Sequence, residues 1–169
     1  MEQHLDFHPL IIHFPIALLI VGVICDTIGI LGKRDLFLRI GFLLFALGAL
    51  TTIPAALTGN YAAETAQHIP NIYDDLDWHD TLGTATAIFA VILTLIRIHL
   101  TLKKQFTHTA QYIYLLFAIL VSILVGASGY TGGHLVYNYG AGTRPIIKTL
   151  KIETQPPTRI PRSDTFQSQ

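Results

Sequence analysis

The sequence predicts an all-α integral membrane protein built as a four-helix bundle. Three observations carry that prediction. Of 169 residues, 51% are hydrophobic and only 13% charged, against roughly 25% charged in an ordinary soluble domain. Four apolar runs of about 20 residues each match a hydrocarbon core of about 30 Å at a helical rise of about 1.5 Å per residue. The connections between the runs alternate basic, acidic, basic.

The runs cover roughly 9–31, 36–57, 81–100 and 110–130. They are continuously apolar rather than alternating, so they read as helices and not as strands of a barrel. Pro15 lies near the start of the first run and Pro54 near the end of the second. Each should bend or begin a helix there, because proline has no N–H for the ladder. Gly41 and Gly48 on the second run, and Ser122 and Gly126 on the fourth, supply small surfaces at helical spacing, where backbones can approach in lipid. Residues 1–142 therefore read as one four-span domain. Residues 143–169, which include TQPPTRIPRSDTFQSQ, read as an extended or disordered tail. No internal repeat is obvious.

Composition also excludes several classes. The formal net charge is zero, so there is no basic footprint for nucleic acid. Cys25 is the single cysteine and lies in an apolar run. An intramolecular disulfide, a CxxC redox pair and haem attachment through two cysteines are thereby ruled out. GxSxG, P-loop and GxGxxG elements are absent. The opening MEQHLDFH has no Lys or Arg, so the first run is expected to stay as an anchor rather than be cleaved as a signal peptide.

Orientation follows from the short loops. Lys33 and Arg34 follow the first run, with Arg39 just beyond, and Lys103 and Lys104 follow the third. The middle connection carries Glu64, Asp74, Asp75, Asp77 and Asp80 without a basic residue. The positive-inside rule places the basic loops in the cytoplasm of a bacterial inner membrane, and the N-terminus and acidic connection on the outer, periplasmic side. The basic tail, with Arg144, Lys148, Lys151, Arg159 and Arg162, opposes this assignment. The charges directly at the helix ends outweigh it.

The histidines then gather on one side. His8 and His13 open the first run, in HPLIIHFPIALLI; His68 follows the second, His79 precedes the third, and His134 follows the fourth. Ionisable groups at membrane depth are costly and mark function. Imidazole is a common ligand of transition metals and of haem iron, and four-helix bundles build cofactor sites from facing helices. His8 and His13 are five apart, so a regular helix cannot aim both at one centre unless the prolines distort it; one of them reads as an interfacial or capping residue. Asp80 or Thr81 can cap the third helix, and Asp80 can orient the His79 imidazole. Glu64 and His68 share a helical face, as a metal-binding pair or a surface hydrogen bond. His99 and His108 flank the opposite, basic loop and read as interfacial. Tyr130, Tyr137, Tyr139 and Trp78 fit an aromatic belt at the interface. Asp26, deep in the first run, is expected to pair with Arg39 or Lys33.

The run HPLIIHFPIALLIVGVICD resembles the opening of a bacterial family of predicted membrane proteins, domain of unknown function family 2231, which typically begins on an HPxxVHFPIAL-like signature. TGNYAAETAQH, the HDTLG within Trp78–Gly83, and GGHLVYNYGAG add to the resemblance, which covers about residues 5 to 142. His134 departs from the pattern, since its position is often acidic in such proteins. Members look like four-helix b-type cytochromes and are associated with c-type cytochrome modules. The resemblance therefore implies haem binding and electron transfer.

Three functional readings follow. In the first, the chain is a b-type electron carrier with bis-His haem near the outer face, His13 and His79 being the expected ligands and His8 and His134 the further candidates; quinol or a c-type cytochrome is the partner. In the second, His13, His79, Glu64 and His68 hold a non-haem transition metal. In the third, the chain is a cofactor-free subunit of a larger respiratory or photosynthetic complex. All three describe a carrier or subunit more readily than a stand-alone enzyme, and all three place the chain in contact with membrane lipid.

Overall fold

A computed structural model of the protein describes residues 8–141; the expected tail, 143–169, lies outside them. A single turn, α1 (His8–Ile11), leads into α2 (His13–Leu31), followed by α3 (Asp35–Ala66), α4 (Tyr73–Leu102) and α5 (His108–Tyr139). The interruption between α1 and α2 falls at Ile12. Pro15 has no N–H to give the Ile11 carbonyl, which is the bond a continuous helix would need there. Pro54 is carried inside α3.

The four long helices run up, down, up and down. α2 packs on α3, α3 on α4, α4 on α5 and α5 back on α2. Leu19, Phe45, Ala90, Ala118 and Val121 fill the core. Outward faces are apolar as well: Leu36, Leu43, Leu50 and Leu57 recur every seventh residue along α3 and are 58–66% exposed. An unpartnered leucine stripe of this length belongs in lipid, and all four long helices are long and apolar enough to cross a membrane. The chain is an integral membrane protein.

The helices exceed the expected spans at one end. α3 continues past 57 to Ala66, α4 begins at Tyr73 rather than 81, and α5 continues past 130 to Tyr139. Hydropathy registers only the lipid-facing stretch, whereas a helix can run on through polar residues once water solvates them. α3 and α5 have 32 residues each, about 48 Å at helical rise against a core of about 30 Å. These extensions carry His79, Asp80, Glu64 and His134.

Glycines set the closest approach. A Cβ on Gly22 would meet the Phe45 backbone nitrogen at 2.9 Å, and one on Gly48 would meet Leu19 Cγ at 2.9 Å. Gly41 likewise sits against Asp26. The expected role of Gly41 and Gly48 in packing is thus seen at the α2–α3 contact. Gly126 does not share it: nothing lies within 4 Å of its would-be Cβ, because its face of α5 points outward.

The structure also reveals a repeat that the sequence hides. Shifting α2 by 71 positions carries five of its seven buried residues, Pro15, Leu19, Gly22, Val23 and Asp26, onto Thr86, Ala90, Leu93, Thr94 and Arg97, the buried residues of α4. Shifting α3 by 73 carries some of its buried residues, Gly41, Phe45, Gly48 and Thr52, onto the buried Tyr114, Ala118, Val121 and Val125 of α5, whereas Ala49 and Ala55 fall on the half-buried Ser122 and Ser128. The turns agree too. α2 and α4 both end with a lysine in the left-handed region, Lys33 (φ 52°) and Lys104 (φ 54°). In both, the next residue's N–H reaches back five positions, Arg34 to the Gly29 carbonyl (2.9 Å) and Gln105 to the Leu100 carbonyl (2.8 Å). This is the same Schellman stop, built twice. The fold is two consecutive α-hairpins that share part of their burial pattern and the same turn. Almost all side chains differ between the halves, so the relation was invisible as sequence identity.

Candidate functional site

A cavity of about 460 Å³ opens among the ends of all four long helices and is bordered by His8, His13 and His79. Its walls are small: Ala55, Ala56 and Gly59 on α3 face Gly129, Gly132 and Gly133 on α5. Leu19 and Val125 floor it with apolar carbon. The volume falls in the range of about 300–1,000 Å³ usual for small-molecule and cofactor sites.

Two of the three histidines are held in the same way. His8 Nδ1 lies 3.1 Å from Thr58 Oγ1, 50 residues on. His79 Nδ1 lies 2.9 Å from Thr131 Oγ1, 52 residues on. Each threonine is followed by a glycine under the ring. A Cβ on Gly59 would stand 3.1 Å from His8 Cε1, and one on Gly132 would stand 3.0 Å from His79 Cε1. The shifts of 71 and 73 that superpose the hairpins also superpose His8 on His79, Thr58 on Thr131 and Gly59 on Gly132. Outside aliphatic positions and the turn lysines, these are the identities the two halves keep.

The hydrogen-bond direction can be worked out. The Thr58 hydroxyl donates to the Pro54 and Ala55 carbonyls, at 2.9 and 3.0 Å. The Thr131 hydroxyl donates to the Ser128 carbonyl at 3.0 Å. A hydroxyl proton given to a helix carbonyl leaves the threonine oxygen to accept from Nδ1–H, and in that tautomer Nε2 carries the lone pair. This is the tautomer that a metal-ligating imidazole requires, with the other nitrogen oriented by an oxygen acceptor.

The remaining candidates sit elsewhere. His13 is exposed at the cavity rim, so the interruption at Ile12 brings both His8 and His13 to one cavity, although five residues separate them. Glu64 is exposed near the end of α3, and His68 is exposed in the turn after it. The helix stops at Ala66, so the two do not form an i, i+4 pair on a shared helical face. Neither borders the cavity. Among the described residues, no three His, Cys, Asp or Glu side chains converge as a metal ion would need. Asp80 borders the cavity, but α4 begins at Tyr73, so neither Asp80 nor Thr81 caps it; Thr131 takes the orienting role expected of Asp80. His134 is clear of the cavity. It accepts from the Asn138 amide at 2.6 Å and approaches Asp75 at 3.7 Å, while the Tyr139 hydroxyl donates to Asp75 at 2.6 Å. That cluster fastens the end of α5 to the start of α4.

Sequence reasoning missed Thr58 and Thr131. The available signal was the Thr-Gly dipeptide recurring 73 residues on, each copy about 50 residues after a histidine.

Asp26 also corrects its expectation. Its carboxylate pairs with Arg97, not with Arg39 or Lys33, which are exposed. Arg97 donates a second bond to the Leu38 carbonyl (2.8 Å), and the Tyr114 hydroxyl donates to Asp26 (3.0 Å). The guanidinium is caged by Phe42, Phe106 and Tyr114, with ring centroids 5.1, 5.1 and 4.5 Å away. Asp26 and Arg97 lie 18 residues of helix below His8 and His79, toward the other end of the bundle.

Fold and site together define a class: a four-helix integral membrane protein with paired histidines around a cavity at one end. Residues 4–145 match the family described as predicted membrane protein, DUF2231, and the chain belongs to that family. No curated protein and no solved structure matches it.

Proposed function

We propose that the protein is a b-type cytochrome of the membrane, in which His8 and His79 hold one haem b across the cavity. The observation that carries this is the duplicated cradle, which fixes two imidazoles in the ligating tautomer around one cavity walled by Ala and Gly. The ligand pair thus becomes His8 and His79, rather than the His13 and His79 expected from sequence. Haem b held by two imidazoles supplies a one-electron couple with no open coordination position, which suits electron transfer.

The chain's own residues do the rest. Thr58 and Thr131 fix ring orientation, and Gly59 and Gly132 leave room for the rings. Leu19 and Val125 keep water from the inner wall. Among the described residues neither Lys nor Arg borders the cavity, so His13 at the rim is, of these, the group suited to receive a porphyrin carboxylate. The basic turns at the opposite end, with Lys33, Arg34, Lys103 and Lys104, support placing the cavity on the outer side of a bacterial inner membrane. Asp74 and Asp77, exposed at the same end as the cavity, favour a cationic partner such as a c-type cytochrome over a neutral quinol.

The test is a reduced-minus-oxidised absorption spectrum of the detergent-purified full chain, with metal analysis on the same sample. A haem b alpha band at one haem per chain supports the reading. A colourless sample with stoichiometric transition metal overturns it in favour of a non-haem centre. A colourless, metal-free sample overturns it in favour of a scaffold subunit.

A further inference from the structure

Resting on that reading, we infer that Thr58 and Thr131 are equivalent positioning residues, one in each hairpin, so that a single planar cofactor is gripped by one His–Thr–Gly cradle from each half. Three independent features meet here. The hairpins share part of their burial pattern and their Schellman turns. The His, Thr and Gly positions coincide under the same shifts. Both threonine hydroxyls also reach helix carbonyls, which places each oxygen to accept an imidazole N–H.

The consequence concerns the ligands' electronics as well as their placement. An acceptor on Nδ1–H raises the basicity of Nε2 and favours the more highly charged iron. A porphyrin has matching opposite faces, so one cofactor in the shared cavity could take an imidazole from each cradle. Equivalence also means that neither threonine outranks the other. A site assembled from unrelated residues would have no reason to behave so.

The experiment uses the full chain purified from membranes with its native haem. Thr58→Val and Thr131→Val keep the side-chain shape and remove the acceptor; Thr58→Ser and Thr131→Ser restore it. Each valine variant is expected to raise the haem midpoint potential, by similar amounts. Each should also weaken haem retention against a soluble haem scavenger by about 10- to 100-fold, as loss of an orienting partner does at other metal sites. Both serine variants should return to wild-type values. The double valine variant should shift the potential further in the same direction. Thr58→Ala and Thr131→Ala take over if a valine variant fails to accumulate. Unchanged potential and retention in either single variant, or a response confined to one half, overturns the inference while leaving the cytochrome reading intact. Wild-type protein without a haem b band overturns both.

Discussion

Arg97 donates to Asp26 inside the bundle, near its basic end, and the two residues occupy equivalent positions of the two hairpins. Exact copies would set like charges against each other there, Asp on Asp or Arg on Arg. Divergence to opposite charges turns that conflict into a bond between the diagonal helices α2 and α4. Both side chains are almost wholly buried, at 0% and 3% exposure. Removing one partner from such a pair costs about 3–5 kcal/mol, since the other charge is left stranded. Asp26→Ala or Arg97→Ala should therefore lower the unfolding midpoint in detergent sharply. Arg97→Lys should recover little of it, because an ammonium loses the fork to Asp26 and Leu38 and fits the aromatic cage poorly. The exchanged double variant, Asp26→Arg with Arg97→Asp, should be more stable than Asp26→Arg or Arg97→Asp alone. Thermal or SDS-titration unfolding reads all of these.

The histidine assignment separates cleanly from the alternative drawn from sequence alone. His8→Ala and His79→Ala should each abolish the haem b alpha band. His13→Ala should retain it, with weaker binding at most, because His13 stands at the rim. Loss of the band in His13→Ala and retention in His8→Ala would reverse the ligand assignment. The spectrum of membranes from each variant decides.

Glycine tolerance should track contact. A Cβ on Gly41 would collide with Asp26 Oδ1, and Asp26 is held by Arg97 and Tyr114 and cannot yield. Gly41→Ala should destabilise the fold, whereas Gly126→Ala, with nothing within 4 Å, should leave stability unchanged or raise it by up to about 1 kcal/mol through helix propensity. Gly132→Ala should leave folding intact but lower haem occupancy, because its Cβ presses on the His79 ring. Unfolding midpoints and haem-to-protein ratios measured side by side test the distinction.

The acidic end should steer its partner. If Asp74 and Asp77 attract a cationic electron-transfer protein, the bimolecular rate of haem oxidation by a basic c-type cytochrome should fall with rising salt, and Asp74→Asn with Asp77→Asn should flatten that dependence. A rate indifferent to salt in the wild-type protein would point to a neutral partner. Stopped-flow absorbance at two ionic strengths reads it.

Much of this protein was legible before any coordinates. Four apolar runs, their up-down order, the packing use of Gly41 and Gly48, and the gathering of histidines at one end follow from hydropathy, length and charge. These are one-dimensional properties, set by the lipid core and by the covalent order of the chain. What the linear pattern could not show was which side chains meet. The helices run on past the apolar spans because polar residues such as Asp74 and Glu64 continue a helix without adding hydropathy. Asp26 found Arg97, 71 residues away, rather than its neighbour Lys33, because a buried carboxylate pairs across the bundle axis and not along the surface. His8, His13 and His79 border one cavity, and His8 and His79 meet threonines 50 and 52 residues distant. The hairpin repeat survives in burial, turn geometry and one His–Thr–Gly set while nearly every other side chain has changed. Periodicity determines that four helices cross the membrane. Only their packing, in which small residues bring the backbones close, decides which distant side chains border the cavity at one end of the bundle.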